Sequence, residues 1–196
     1  MEKVINAKGL TCPQPVILTK DALSTQDRIT VIVDNEPALQ NIRRLATKMG
    51  CRIQTEKKED GTFHIRISRP ESRGEAAKPA PAAVEGPLVI AVASDRMGRG
   101  NDELGDVLIR SFIHTVRALE PLPDTMIFYN TGVKLTVRDS AVLDDLKELE
   151  AAGVSILICG TCLNYFGLSD RIGAGVISNM YDIASTMAAA GRLITP

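Results

Sequence analysis

Residues 70–87 read PESRGEAAKPAPAAVEGP. The stretch carries hardly any large apolar side chain and repeats Pro and Ala, so it cannot bury enough surface to fold and reads as a flexible linker. At 196 residues the chain is long for one average domain and sufficient for two small ones, each with its own core. The expected organisation is therefore a domain over 1–70, a linker over 71–86 and a second domain over 87–196.

Before the linker, Lys3 to Asn6 is a short strand and Pro13 to Ser24 a helix. Ile29 to Asp34 is rich in β-branched residues and reads as a second strand. From Pro37 to Met49, Leu39, Ile42, Leu45, Ala46 and Met49 recur at helical spacing. Pro37 suits a helix start there and Gly50 a C-terminal cap. Cys51 to Lys57 and Thr62 to Ser68 alternate apolar with polar around Glu59-Asp60-Gly61, a hairpin pattern. The order βαβαββ predicts a two-layer α/β sandwich with helices on one face of the sheet.

After the linker, Leu88 to Ala93, Thr125 to Tyr129 and Ser155 to Cys159 are nearly continuous apolar runs, the mark of parallel strands buried on both faces. Helices are expected over Asp102 to Leu119 and over Ser140 to Ala152, the latter with Val142, Leu143, Leu146 and Leu149 on one face and Gly153 as its stop. A strand near Gly175 to Ile177, a helix from Asn179 to Ala190 and a strand at Leu193 to Thr195 complete a doubly wound, mostly parallel α/β domain.

The charge is uneven. Twelve Lys and Arg face eight Asp and Glu in residues 1–70, against nine facing thirteen in residues 86–196, for a chain net charge of −1. That balance argues against a general nucleic-acid footprint. Nothing resembles a membrane span of roughly 20 apolar residues. Met1 to Gly9 shows no export signal, so a cytoplasmic location is expected, with the four cysteines as thiols before disulfides.

The sharpest local signal is Cys12-Pro13-Gln14-Pro15 at the entry to the first helix. Prolines are tolerated in a first helical turn because its amides lack intrahelical acceptors, and Pro13 and Pro15 fix the backbone there. Cys12 is then expected at or beside the N-cap, where free amides such as those of Gln14 and Val16, and the helix dipole, favour the thiolate. GLTCPQPV with the βαβαββ order resembles the TusA/SirA family of sulfur-relay proteins over roughly the first 70 residues. The resemblance implies that Cys12 accepts sulfane sulfur as a persulfide and hands it on.

The second chemical motif is Cys159-Gly160-Thr161-Cys162, directly after the buried run Ile156 to Ile158. Parallel sheets hold their sites at the carboxyl ends of strands. Cys159 is expected at such an end and Cys162 in the following loop or helix start. One thiol could accept sulfur and the other resolve the mixed species as a disulfide. A zinc site wants four ligands, and only Cys12, Cys51, His64 and His114 could supplement the pair, so no metal is expected. Dithiol redox chemistry stays open. Cys51 reads as structural, and no catalytic array involving His64 or His114 can be argued.

Ser94 to Gly105, SDRMGRGNDELG, satisfies neither the dinucleotide fingerprint nor a P-loop. Its glycines suit a tight turn, with Asn101 or Asp102 capping the next helix; small-anion binding is the alternative. MGRGNDELG, CGTCLNYFGL and ISNMYDI resemble the DsrE-like sulfurtransferase family. The two halves together resemble the YedF-like family, associated with selenium metabolism.

These resemblances imply a sulfurtransferase-like carrier of persulfide or perselenide, acting through Cys12, Cys159 and Cys162 with Pro13, Pro15, Gly160 and Thr161 in support. No cofactor is expected beyond the covalent chalcogen itself. The implied partners are a donor such as a cysteine desulfurase and a downstream acceptor protein, with neither membrane nor nucleic acid, and a homo-oligomer is expected. A non-catalytic adaptor is the rival reading.

Overall fold

The computed structural model describes residues 3–11, 13–69 and 86–196. The linker expected over 71–86 lies outside the described residues except for Gly86, and so does Cys12. The chain forms two compact units, divided between Lys78 and Pro79.

Unit 1 runs β1 (Lys3–Asn6), α1 (Gln14–Thr25), β2 (Arg28–Val33), α2 (Glu36–Lys48), β3 (Arg52–Lys57) and β4 (Phe63–Ser68). Its sheet has the order β1-β2-β4-β3, with β1 parallel to β2 and the other pairs antiparallel. Ile29, Val31, Val33, Ile65 and Ile67 alternate along β2 and β4 and are all buried. They meet Leu23 and Ala22 of α1 and Leu39, Ile42 and Ala46 of α2 in one core. The period of two therefore directs one sheet face to the helices, as expected for an antiparallel-type sheet with a single covered face.

Local signals fix the unit 1 boundaries. Asn35 caps α2, its side chain accepting the Ala38 N–H at 2.9 Å. Gly50 follows the helix at φ +71°, the left-handed conformation that terminates helices. Asp60 holds the hairpin by accepting from both the N–H and the hydroxyl of Thr62.

Unit 2 runs β5 (Leu88–Val92), α3 (Asp102–Val116), β6 (Thr125–Phe128), a 3-10 helix (Asn130–Thr136), α4 (Leu143–Ala151), β7 (Ser155–Cys159), α5 (Gly160–Phe166), a 3-10 turn (Ser169–Arg171), β8 (Val176–Ser178), α6 (Met180–Ala188) and β9 (Arg192–Ile194). All five strands are parallel, in the order β8-β7-β6-β5-β9. The expected "mostly parallel" sheet is thus wholly parallel. β5 is buried along its whole length, as its unbroken apolar run requires.

From β5 to β8 the chain steps one way across the sheet, then returns to place β9 on the far side of β5. Right-handed crossovers put the returning helix α6 on the face opposite the others. α6 packs on β5 and β7, while α3 touches α4. Ile109 and Ile113 of α3, Leu146 of α4, and Phe128 and Ile158 of the sheet are fully buried together. At about 1.5–3 kcal/mol for each large side chain, this core is the main source of the unit's stability. His114 of α3 and Arg117, its C-cap, also pair with Asp145 of α4, and Arg117 reaches Glu148, clamping the two helices.

Two substitutions separate the cores. Asn35→Ala should reduce the hydrogen-exchange protection of β2 and β4 amides by about 1 kcal/mol through loss of the cap. Leu146→Ala should cost β5 and β6 amides about 2–5 kcal/mol through the cavity it leaves. Unchanged protection in the named strands would contradict the packing described.

Candidate functional site: a two-thiol centre at the carboxyl edge of the parallel sheet

Cys159 is the last residue of β7 and the N-cap of α5. It is 1% exposed and part of the unit 2 core. Cys162 lies one turn on, partly buried, where Cys159 is near enough to raise its proton affinity. An N-cap side chain and the third helical position normally face each other, which is why the CxxC spacing at a helix start brings its two sulfurs together. Gly160 sits between them where a Cβ would come within 3.0 Å of the Ile177 side chain and 3.3 Å of the Ser178 carbonyl. Thr161 faces solvent.

A third group reaches the centre from the 3-10 helix that follows β6. The backbone N–H of Asn130 donates to Cys162 Sγ at 3.1 Å. Asn130 has φ +50° and is the only non-glycine with positive φ among the described residues. Asn tolerates that region better than most side chains. The segment is wedged there by Gly132, whose N–H donates to the Ala93 and Tyr129 carbonyls. A Cβ at Gly132 would lie 2.3 Å from the Val92 carbonyl oxygen, so a side chain has no room. Lys134, farther along the same 3-10 helix, pairs with Asp95 at 3.4 Å and stands 5.0 Å from the centroid of the Phe166 ring in α5.

Burial pushes the Cys162 thiol above the ordinary range, and the neighbouring Cys159 adds to the rise, while the Asn130 N–H acts in the opposite sense. Cys162 is therefore a protonated thiol at neutral pH whose reactivity grows as pH rises. Cys51 is also raised by burial; it packs against the unit 1 core, as a structural cysteine does.

In unit 1, Pro13 is the N-cap of α1 and Pro15 is buried in its first turn. The amides of Gln14 and Val16, expected to be free to face a thiolate, are not free. Gln14 N–H donates to the Thr11 carbonyl and Val16 N–H to that of Pro13, each at 3.0 Å. The prolines tighten the entry into bonds that reach back three residues and consume these donors. The loop that precedes position 12 is tied down separately: Gly9, at φ +72°, donates its N–H to Asp34 Oδ2 at 2.7 Å. The Asn35 amide and then the Gly9 N–H hold the Asp34 carboxyl below its usual range. Gly9, Leu10, Thr11, Pro15 and Val16 form one wall of a cavity of about 330 Å³ closed by the start of α2 at Pro37, Ala38 and Asn41.

At Ser94 to Gly105 the capping reading holds. Asn101 accepts the Leu104 N–H at 2.8 Å, and Gly98 and Gly100 have positive φ. Arg96 is paired with Asp102 and Lys134 with Asp95, so two of the cations at this loop are already neutralised. Among the described residues, no group of three or more His, Cys, Asp or Glu side chains is placed to hold a metal ion. No helix among them is long and apolar enough to cross a membrane. Asp34, Asn130 and Gly132 were missed in the sequence; the signal available was an Asn-x-Gly directly after an apolar strand.

Fold and site define a two-part protein, a TusA-like domain joined to a DsrE-like domain that carries a cysteine pair. Residues 3–69 match the family model described as sulfurtransferase TusA, and residues 108–196 that of the DsrE/DsrF-like family. A Methanocaldococcus jannaschii protein named as a candidate sulfur carrier is 33% identical over 70 residues, covering 34% of this chain and 93% of that protein. By that relationship the chain belongs to the TusA sulfurtransferase family. An uncharacterized protein of the same organism is 26% identical over 184 residues; the match takes in 87% of this chain but spans 64% of the relative's length.

Among solved structures, a SirA-like protein of Desulfitobacterium hafniense is 35% identical and covered completely, with 36% of this chain matched and a TM-score of 0.34. A Methanobacterium thermoautotrophicum protein of unknown function is 26% identical, with coverages of 56% and 97% and a TM-score of 0.43.

The geometry yields a measurable order of reactivity. Alkylation of the native chain should modify Cys162 well before Cys159, at a rate that climbs with pH to beyond the ordinary cysteine range. Gly132→Ala, by pushing the Asn130 N–H away from the sulfur, should move the alkylation midpoint higher still, while Asn130→Gly should leave it in place. Equal rates at Cys159 and Cys162, or a midpoint unmoved in Gly132→Ala, would contradict the arrangement.

Proposed function

We propose that this protein is a sulfurtransferase-like carrier that takes sulfane sulfur or selenium onto Cys12 and passes it to the Cys159–Cys162 pair. The observation that carries the proposal is the presence, in one chain, of a TusA-family domain and a two-thiol site at the carboxyl edge of a parallel sheet. In the sequence Cys12 stands between Thr11, which lines the cavity between α1 and α2, and Pro13, the N-cap of α1. Members of the family hold sulfur on cysteine as a persulfide, which requires no further cofactor.

In this reading the Pro/Ala-rich sequence 71–86 connects the two domains. A flexible connection of some 16 residues would span roughly 22 Å on average, and such tethering would give effective concentrations around millimolar. Selenium enters through the resemblance to YedF-like proteins, since thiol and selenol transfer use the same side chains. The donor in this reading is a cysteine desulfurase acting in the cytoplasm, and the acceptor a second protein. Self-association belongs to the same reading, through the resemblance to DsrE-like proteins.

The test is cysteine-resolved mass spectrometry after the reduced chain meets a cysteine desulfurase with cysteine or with selenocysteine, products being trapped by alkylation. An added chalcogen should appear on Cys12 before Cys159 or Cys162, and the relative yields give the preferred element. If no cysteine gains one while a control acceptor does, the desulfurase-fed route fails. If Cys12→Ser protein still loads the second domain at the same rate, the order of the relay fails.

A further inference from the structure

The two thiols of unit 2 differ in what can reach them. Cys159 is sealed in the core at 1% exposure, whereas Cys162 is partly open to solvent. A donor persulfide, carried on a protein or a small molecule, can present its outer sulfur to Cys162 and not to Cys159. Cys159, the N-cap of α5, stands one helical turn before Cys162 and on the same side of the helix start, and the Asn130 N–H, from the segment after β6, holds the Cys162 sulfur at 3.1 Å.

From this asymmetry we infer that the pair is a chalcogenide-releasing centre, in which Cys162 receives the sulfur and Cys159 expels it as hydrosulfide, or hydroselenide from a perselenide. The inference rests on the sulfur-relay reading proposed above as far as the pair, adds to it the order of the cysteines, and puts free hydrosulfide in place of the protein acceptor.

In the first step Cys162 loses its proton to solvent and its thiolate attacks the outer sulfur of the donor persulfide. The sulfur–sulfur bond of the donor breaks, and the donor thiolate leaves and takes up a proton. No net oxidation occurs; one sulfur atom has changed carrier. In the second step Cys159 gives up its proton and attacks Cys162 Sγ, the inner sulfur of the new persulfide. The Cys159–Cys162 disulfide forms, the bond from Cys162 Sγ to the outer sulfur breaks, and the outer sulfur departs with the bonding pair as hydrosulfide. The two thiols are oxidised and the sulfane sulfur is reduced by the same two electrons, so no outside oxidant enters. The Asn130 N–H holds the inner sulfur during this exchange. Resetting the centre requires a thiol reductant, either a low-molecular-weight thiol or a dithiol protein, which reopens the disulfide by exchange.

A buried resolving thiol suits this role. Shielded from donors, Cys159 acquires no sulfur of its own, and the group it meets is the one carried by Cys162. A simple carrier has no use for such a neighbour, because the neighbour discharges the cargo before an acceptor protein can take it.

The test uses the full chain with Cys12→Ser and Cys51→Ser, so that the pair alone reacts. The reduced protein is treated with glutathione persulfide, desalted rapidly, and followed by intact mass and by a sulfide assay. The expected result is one equivalent of hydrosulfide per chain and a protein two hydrogens lighter than the reduced form, restored by dithiothreitol. Adding Cys159→Ala should give a chain one sulfur heavier that releases nothing until thiol is added. Adding Cys162→Ala should leave a chain that neither gains sulfur nor loses hydrogen.

Cys159→Val serves as a second variant where Ala destabilises the core, with circular dichroism reporting the fold. Hydrosulfide release undiminished in both Cys159 variants overturns the inference. So does a persulfide that persists on Cys162 while Cys159 stays reduced, and that outcome leaves the relay itself standing. A Cys162 that never gains sulfur sinks the inference together with the role of this pair in the relay.

Discussion

A missing side chain governs the site. The residue after Asn130-Thr131 has to lie against the end of β5, where the Val92 carbonyl leaves no space for a Cβ, and Gly132 meets that requirement. With the backbone seated there, Asn130 is held at positive φ and its N–H is directed at Cys162 rather than at solvent. Lys134, farther along, stands over the Phe166 ring and ties the same segment to the helix that carries the thiol. The cysteine pair is thus positioned by β5, β6 and β7 together. None of these elements could place it alone.

The arrangement treats the two halves of the cysteine motif differently for a physical reason. A strand buried on both faces delivers its last side chain into the core, and Cys159 is that side chain. The helix that begins there turns the next residues out over the sheet's carboxyl edge, so Cys162 emerges partly into solvent. In unit 1 the comparable junction is governed by proline. Pro13 and Pro15 stiffen the entry to α1 but direct the nearby amides to carbonyls of their own loop, and the order of that loop comes from Gly9 and Asp34.

The regular elements were legible in the sequence because their periods are long enough to detect. Leu88 to Ala93 could be read as a strand buried on both faces, and Leu39, Ile42 and Ala46 as one helical stripe, from spacing alone. The 3-10 helix Asn130–Thr136 and the seven-residue α5 were not legible, since neither is long enough to display an amphipathic period. The pairing of Cys159 with Cys162 followed from their spacing, whereas their inequality did not. It depends on which thiol the sheet encloses, a matter of packing among residues far apart in the chain. The fate of the Gln14 and Val16 amides was hidden for a similar reason: a proline pattern marks a helix entry without saying which carbonyls its amides will find.

The outermost strands of the parallel sheet, β8 and β9, are three residues each, and most of their side chains are exposed. A sheet that is not closed into a barrel displays unpaired backbone groups along both borders, and long borders of this kind recruit strands from other chains into fibrillar stacks. Val176 and Ile177 would suit such recruitment by composition. Brevity is the safeguard: so short a border offers an incoming strand too few ladder bonds to offset the entropy of ordering it. A buried apolar sheet can therefore end at both sides without presenting a template of strand length.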